Sequence, residues 1–313
     1  GPAHGTTELG DFAGGDVVLE AVTEILGLKK KVFAELEGVL SPEAVLLTNT
    51  SALSITEMAA DLQHPERVVG MHFFNPVAQM PLVEIIQAAK TDDAALATAF
   101  AMTKKLRKTA VLVADRPGFV VNRLLILLMG KIVEAVQNGT SVEVADRAVA
   151  PLGLPMPPFA LFDLVGPAVG LHVLTSLRED LGDRFPESPG LQRIVDEQIP
   201  VVLDAPKGLP APVVPARRRV VGAGAAGGAG ALDEAGVLDS VLTALTQEIG
   251  LMLDEGVVAS PSQIDLCMIL GAGWGFHLGG ITPYLDRTGY SEKVLGRRFL
   301  PDGVANVPAT SRV

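Results

Sequence analysis

Two apolar, strand-like runs of this chain each carry one ionisable side chain, and this constrains its fold more than any other feature. Val68-Val69-Gly70-Met71-His72-Phe73-Phe74 contains His72, and Leu82-Val83-Glu84-Ile85-Ile86 contains Glu84. Imidazoles and carboxylates are seldom buried without a partner. The runs are neighbours in sequence, joined by a turn bracketed by Pro76 and Pro81, so the two side chains are expected to pair across adjacent strands. A carboxylate that orients an imidazole makes it a stronger base, poised near neutral pH. A core ion pair without chemistry has the same signature, and only the surrounding residues separate the two readings.

Around this pair the first 115 residues alternate in a β-α-β manner. Asp16–Val22, Ala44–Thr48 and Thr109–Val113 read as strands, with amphipathic helices over Leu28–Val39 and Asp92–Leu106. Ser54 and Glu57 have the spacing of a capping box that starts a short helix. The pattern is that of a doubly wound sheet, and of only its second half. Pro117-Gly118 ends it, and the rest reads as helical. A long helix is expected over Phe119–Gln137, stopping at Asn138-Gly139. Thr140 with Glu143 then starts the next helix. A Pro/Ala/Gly-rich stretch, residues 205–231, reads as a linker.

The late part repeats the earlier one. Glu134 to Gly139, with Asp146, Gly153 and Asp163-Leu164-Val165-Gly166, finds a counterpart in Met252 to Gly256, Asp265, Gly271 or Gly273, and Asp286-Arg287-Thr288-Gly289. Ser260-Pro261-Ser262-Gln263 again looks like a capped helix start. Chance similarity between two Ala/Leu/Gly-rich helices is the alternative. The domains expected are therefore 1–115, 116–210, a linker over 211–232, and a second helical repeat over 233–313.

Composition removes several function classes. The net charge of −11 and a pI near 4.9 argue against a nucleic-acid-binding surface. The apolar run Leu124–Met129 is far too short to span a bilayer, and the N-terminus shows no secretory signal. A single cysteine, Cys267, excludes an intrachain disulfide and fits a reducing cytoplasm. His64, His172 and His277 lack metal-ligand spacing, so no metal site is expected. No strand followed by G-x-S-x-G supports a serine hydrolase.

The phrases Thr48-Asn49-Thr50-Ser51-Ala52-Leu53-Ser54, His72-Phe73-Phe74-Asn75-Pro76 and Asp115-Arg116-Pro117-Gly118-Phe119-Val120-Val121-Asn122-Arg123 closely resemble the L-3-hydroxyacyl-CoA dehydrogenase family. The resemblance runs from about Asp16 to Gly289 and, with the duplicated tail, is strongest to the dehydrogenase part of multifunctional fatty-acid oxidation alpha subunits. It implies the C-terminal half of a Rossmann-like dinucleotide-binding domain, followed by two copies of a helical C-terminal domain. It also implies NAD-dependent oxidation of an L-3-hydroxyacyl-CoA to the 3-ketoacyl-CoA.

Ser51, His72, Glu84 and Asn122 fit the family's catalytic quartet. His72 would accept the hydroxyl proton, Glu84 would fix its tautomer, and Ser51 and Asn122 would hydrogen-bond the substrate oxygen or thioester carbonyl. For Ser51 a helix-capping serine is the alternative, and for Asn122 a surface amide. Glu24, Lys29 and Asn75 fall where the family contacts the nicotinamide half of the cofactor, although a solvated helix lysine is an equal reading of Lys29. The implied partners are an acyl-CoA substrate and a thiolase subunit, with the two helical repeats packed as an intramolecular pseudo-dimer.

One departure from the family stands out. No Gly-rich turn precedes Asp16, and Gly222-Ala223-Gly224-Ala225-Ala226-Gly227 lacks the strand and helix that would make it a phosphate cradle. The chain is thus expected to begin after the first strands of the dinucleotide domain and to bind NAD weakly. A non-catalytic assembly module, or a dehydrogenase acting on another 3-hydroxy acid, are the rival readings.

Overall fold

The computed structural model describes residues 4–198 and 230–304, and the chain divides into two compact units. One comprises residues 1–120 with 256–259, the other residues 121–255 with 260–313. The expected linker over 211–232 and the 222–227 glycine motif lie largely or wholly outside the described residues.

The first unit is built on a five-stranded sheet with its strands side by side in chain order. These are β1 (Val17–Glu20), β2 (Val45–Thr48), β3 (Val68–Phe73), β4 (Leu82–Gln87) and β5 (Thr109–Ala114), with helices α1 (Leu26–Glu37), α2 (Ile55–Ala59) and α3 (Asp93–Lys105) between them. β1, β2 and β3 run parallel, β4 is antiparallel to β3, and β5 is parallel to β4. The reversal has a simple cause. A parallel crossover needs roughly a dozen residues or more, and the 74–81 connection is too short to supply one.

Side-chain alternation along the strands sorts the two faces. Val45, Leu47, Val69, Met71, Val83 and Ile85 form one core with Ala95, Leu96 and Ala99 of α3. Leu46, Gly70, His72, Glu84 and Ile86 occupy the other face, all buried. Gly70 must be glycine there: an added Cβ would lie 2.8 Å from Cβ of Ile86 and 3.0 Å from Cγ1 of Ile55 in α2. The expected cap of α2 is present, with Ser54 accepting from the Glu57 N–H. Asp115, just past β5, adds a second clamp. It accepts from Ser54 Oγ, Ile55 N–H and Thr56 N–H at 2.9, 3.2 and 2.7 Å.

The second unit is helical: α4 (Val121–Gln137), α5 (Val142–Ala148), α6 (Pro158–Val165), α7 (Pro167–Leu181), α8 (Pro189–Asp196), α9 (Glu234–Asp254), α10 (Pro261–Gly271), α11 (Ile281–Arg287) and α12 (Tyr290–Leu295). α4 starts at Val121 rather than at Phe119, because Gly118 and Phe119 both take left-handed backbone angles, φ 69° and 50°. The cap of α5 also departs from expectation. Ser141, not Thr140, accepts from the Val144 N–H, because the first helical residue is Val142 and a capping hydroxyl serves the third position. The Thr140 hydroxyl instead bonds the backbone of Leu232. Among the described residues α9 is long and apolar enough to cross a bilayer, but it packs along α4, α5 and α12.

Two aspartates hold helix starts in the same way. Asp146 of α5 accepts from the Phe159 N–H at the start of α6. Asp265 of α10 accepts from the N–H and hydroxyl of Thr282 at the start of α11, at 2.8 and 2.7 Å. Burial pushes the Asp265 carboxyl up to about 6, against the lowering effect of Thr282 and with a further push from Asp286. Its value in the folded chain thus exceeds the ordinary 3.8, so the associated stability is full below that value and is lost as pH rises through about 6. Urea unfolding is expected to show stability falling by on the order of 3 kcal/mol between about pH 4 and 7. Asp265→Asn should remove most of that slope; an unaltered slope would assign it to other groups.

Candidate active site

His72 and Glu84 are register partners across the β3–β4 ladder. Their side chains meet with His72 Nδ1 2.7 Å from Glu84 Oε2, and both are buried. Directly opposed residues of an antiparallel pair share a face, so the strand reversal is what unites them. Glu84 Oε1 also accepts from the Val120 N–H at 3.2 Å, which fixes the carboxylate at both oxygens. The imidazole lies between two aromatic rings, Phe74 at 4.4 Å and Phe119 at 5.7 Å between centroids. With Nδ1 committed to a carboxylate, Nε2 is the nitrogen available for proton exchange. Phe119 reaches this place through its left-handed backbone, a conformation that costs energy for a bulky residue and concentrates at functional sites.

A second network ties together the carboxyl ends of β1, β2 and β3, the edge of an open α/β sheet where ligands bind. Glu20, last in β1, accepts from Lys29 Nζ at 2.9 and 3.1 Å and from Thr48 Oγ1 at 2.7 Å. Lys29 also donates to the Asn49 carbonyl at 3.0 Å, and the Asn49 side chain accepts from the Phe73 N–H. Glu24 receives the Thr50 hydroxyl at 2.6 Å and the Ser51 N–H at 2.8 Å. Its other oxygen lies 3.7 Å from Lys29.

The sequence-derived candidates thus fall into groups. His72 and Glu84 form one pair, while Ser51, Glu24 and Lys29 form one cluster after β1 and β2. Ser51 is half-buried, and since Ser54 caps α2, helix capping does not require Ser51. Asn75 is exposed in the β3–β4 loop. Asn122 is half-buried in the first turn of α4 and belongs to the helical unit. Lys29 is neither solvated nor turned outward: its side chain is fully buried on Glu20. Its position in the buried stripe Lys29, Phe33, Leu36 of α1 was a readable signal of that burial. Glu20 went unnoticed although it carries the same mark as Glu84, a carboxylate in an apolar strand. The parts of Asn49, Asp115 and Phe119 rest on long-range contacts that no local pattern announces.

Known proteins match this chain. Residues 2–116 match the family described as 3-hydroxyacyl-CoA dehydrogenase, NAD binding domain, and residues 118–200 match its C-terminal domain. M. tuberculosis FadB2 is 39% identical over 62% of this chain and 70% of its own, with a TM-score of 0.59. (S)-3-hydroxybutyryl-CoA dehydrogenase PaaH1 from Ralstonia eutropha is 32% identical, over 62% and 69%, with the same score. The chain belongs to the 3-hydroxyacyl-CoA dehydrogenase family. The fatty acid oxidation complex subunit alpha of Acinetobacter baumannii is 36% identical over 91% of this chain, which spans 41% of that protein's length.

The Glu20–Lys29 pair is fully dehydrated, so removing one partner leaves an uncompensated buried charge. Glu20→Gln is expected to lower unfolding free energy by about 3 kcal/mol, read by chemical denaturation. A drop within the range of a surface substitution would show that Asn49 and Glu24 satisfy Lys29 unaided.

Proposed function

We propose that this chain carries the dehydrogenase chemistry of an NAD-dependent 3-hydroxyacyl-CoA dehydrogenase, oxidising an L-3-hydroxyacyl-CoA to the 3-ketoacyl-CoA in fatty-acid β-oxidation. The observation that carries this reading is the buried His72–Glu84 pair, with Nδ1 and carboxylate at 2.7 Å. His72 accepts the substrate hydroxyl proton at Nε2. Glu84 holds the tautomer that makes this possible and stabilises the imidazolium that results. Ser51 and Asn122 supply hydrogen bonds to the substrate oxygen or thioester carbonyl, favouring the polarised form.

Bound NAD would accept the hydride from the substrate carbon. Glu24 and Asn75 fit contacts with it: Glu24 is partly exposed with one oxygen turned from Thr50 and Ser51, and the Asn75 amide is exposed. Lys29, with its ammonium on Glu20 and Asn49, serves the cofactor by holding the strand ends in place. The CoA thioester is favoured over a free 3-hydroxy acid by the Asn49-Thr50-Ser51 and His72-Phe73-Phe74-Asn75-Pro76 phrases.

The helical unit is read as two copies of one domain, packed as an intramolecular pseudo-dimer. Their elements correspond in order: α4 with α9, α5 with α10, α6 with α11. Ser141 and Ser260 cap equivalent helices, and Asp146 and Asp265 hold equivalent helix starts. Gly153 and Gly273 are left-handed at φ 65° and 71°, and positive φ recurs at Gly166 and Gly289, 91° and 80°. These angles favour Gly273 over Gly271 as the counterpart of Gly153. The loops bearing these glycines also touch, with the Gly275 N–H donating to the Leu152 carbonyl. A thiolase subunit is the proposed partner of the whole protein, supported by the relatives' description as subunits of a fatty acid oxidation complex.

His72→Ala and Glu84→Gln, made separately in the full-length enzyme, are each expected to lower kcat by about 10²–10⁴-fold with circular dichroism unaltered. Normal turnover in both would remove the pair from the mechanism. The pseudo-dimer predicts that a chain ending at residue 198 melts lower and self-associates in light scattering. A monomer of undiminished stability would show that the two copies are independent.

A further inference from the structure

Asn122 is followed in α4 by an arginine whose side chain is fully buried. A buried guanidinium is tolerated only where fixed carboxylates and hydrogen bonds offset its lost hydration. Glu248 lies in α9, and Glu255 directly follows its last residue. Arg123 Nε donates to Glu248 Oε1, and Nη2 donates to Glu255 Oε2 at 2.7 Å.

Arg184, in the single turn after α7, closes the square. Its Nε and Nη2 donate to Glu248 at 3.0 and 2.8 Å, and its Nη1 to Glu255 at 2.6 Å. Burial of Glu255 opposes ionisation, but the bonds from Arg123 and Arg184 outweigh it and hold the carboxyl below its ordinary value. The network is therefore two cations and two anions, alternating. Among the described residues Arg123 Nη1 has no hydrogen-bond partner, so Glu248 and Glu255 are what orient the guanidinium.

The remaining buried face of α4 is aliphatic, with Leu124, Leu127 and Leu128 in its first half. Aliphatic contacts are non-directional and do little to fix a helix's rotation about its axis. A guanidinium fork locked onto two carboxylates does so strongly. Asn122 is bonded directly to Arg123, and each residue of a helix turns by a fixed angle, so the direction of one side chain sets that of the next.

We propose that Arg123 is a positioning residue for Asn122, and that Glu248 and Glu255 of the second helical copy set the rotation at which α4 presents the Asn122 amide to the substrate. The inference rests on the substrate-binding reading of Asn122 given above. It gives the second copy a part in the reaction although that copy supplies no group to the substrate.

The test is calorimetric titration of the full chain with acetoacetyl-CoA, for Asn122→Ala, Glu248→Gln and Glu255→Gln, and for each glutamate variant combined with Asn122→Ala. Melting temperature is recorded alongside. Asn122→Ala is expected to weaken binding about tenfold, and each glutamate variant several-fold. In the Asn122→Ala background the glutamate substitutions should cost nothing more, because the group they orient is gone. Arg123→Lys, which keeps the charge but not the fork, should fall between. Losses that add in full, or a lowered melting temperature with unaltered affinity, would reduce the network to a stabilising clamp and overturn the inference alone. Normal affinity in Asn122→Ala, or no binding by the unaltered chain, would sink the substrate-binding reading itself and the inference with it. If Glu248→Gln does not fold, Glu255→Gln carries the cycle, since Glu255 is one-third exposed.

Discussion

The site in the first unit depends on the antiparallel pairing of β3 with β4. Three of the four neighbour pairs of the sheet's ladder are parallel, and helical crossovers carry the chain between parallel strands. The 74–81 loop cannot do this, so β4 folds straight back and lays Glu84 opposite His72. A slip by one residue would move either side chain to the α3 face. Apolar alternation on both strands forbids that slip, because Val69, Met71, Val83 and Ile85 are needed in the α3 core. The His72–Glu84 pair is thus held in register by the apolar residues of the opposite face.

Around that pair, buried charges among the described residues are set against opposite charges. Glu20 and Lys29 neutralise each other while joining strand ends. His72 and Glu84 share one hydrogen bond, with the backbone of Val120 as the third member. In the helical unit Arg123, Arg184, Glu248 and Glu255 repeat the principle on a larger scale. Isolated, any of these groups would cost several kcal/mol of desolvation (about that much per ion). Paired, they give direction, which aliphatic packing does not.

The helical unit uses the same local devices in its earlier and its later part. Capping serines, aspartates that accept backbone N–H groups and left-handed glycines occur in both, because each answers a fixed demand of the backbone. Asn122 lies in the first turn of α4. Counting back from the common helix end at Gln137 and Asp254 places Asp239 at the matching position of α9. There the carboxylate accepts from Tyr290 and Lys293. Those partners hold it below its ordinary value, the Lys293 bond most of all.

The sequence by itself determined the strands and the helices α1, α3 and α4 to within a few residues, the pairing of His72 with Glu84, and the cap of α2. These follow from local chemistry: apolar period, capping spacing, proline and glycine, and the cost of burying an unpaired charge. Family resemblance in three short phrases carried the proposed activity. Only the tertiary structure decided that the partner of Lys29 is Glu20, that Asp115 clamps α2, that Phe119 flanks the imidazole, and that Arg123 is tied to α9. In each case the partner lies far along the chain, from 9 residues for Lys29 to 132 for Arg123 and Glu255. The choice among available carboxylates was made by packing, and no periodicity in the sequence encodes it.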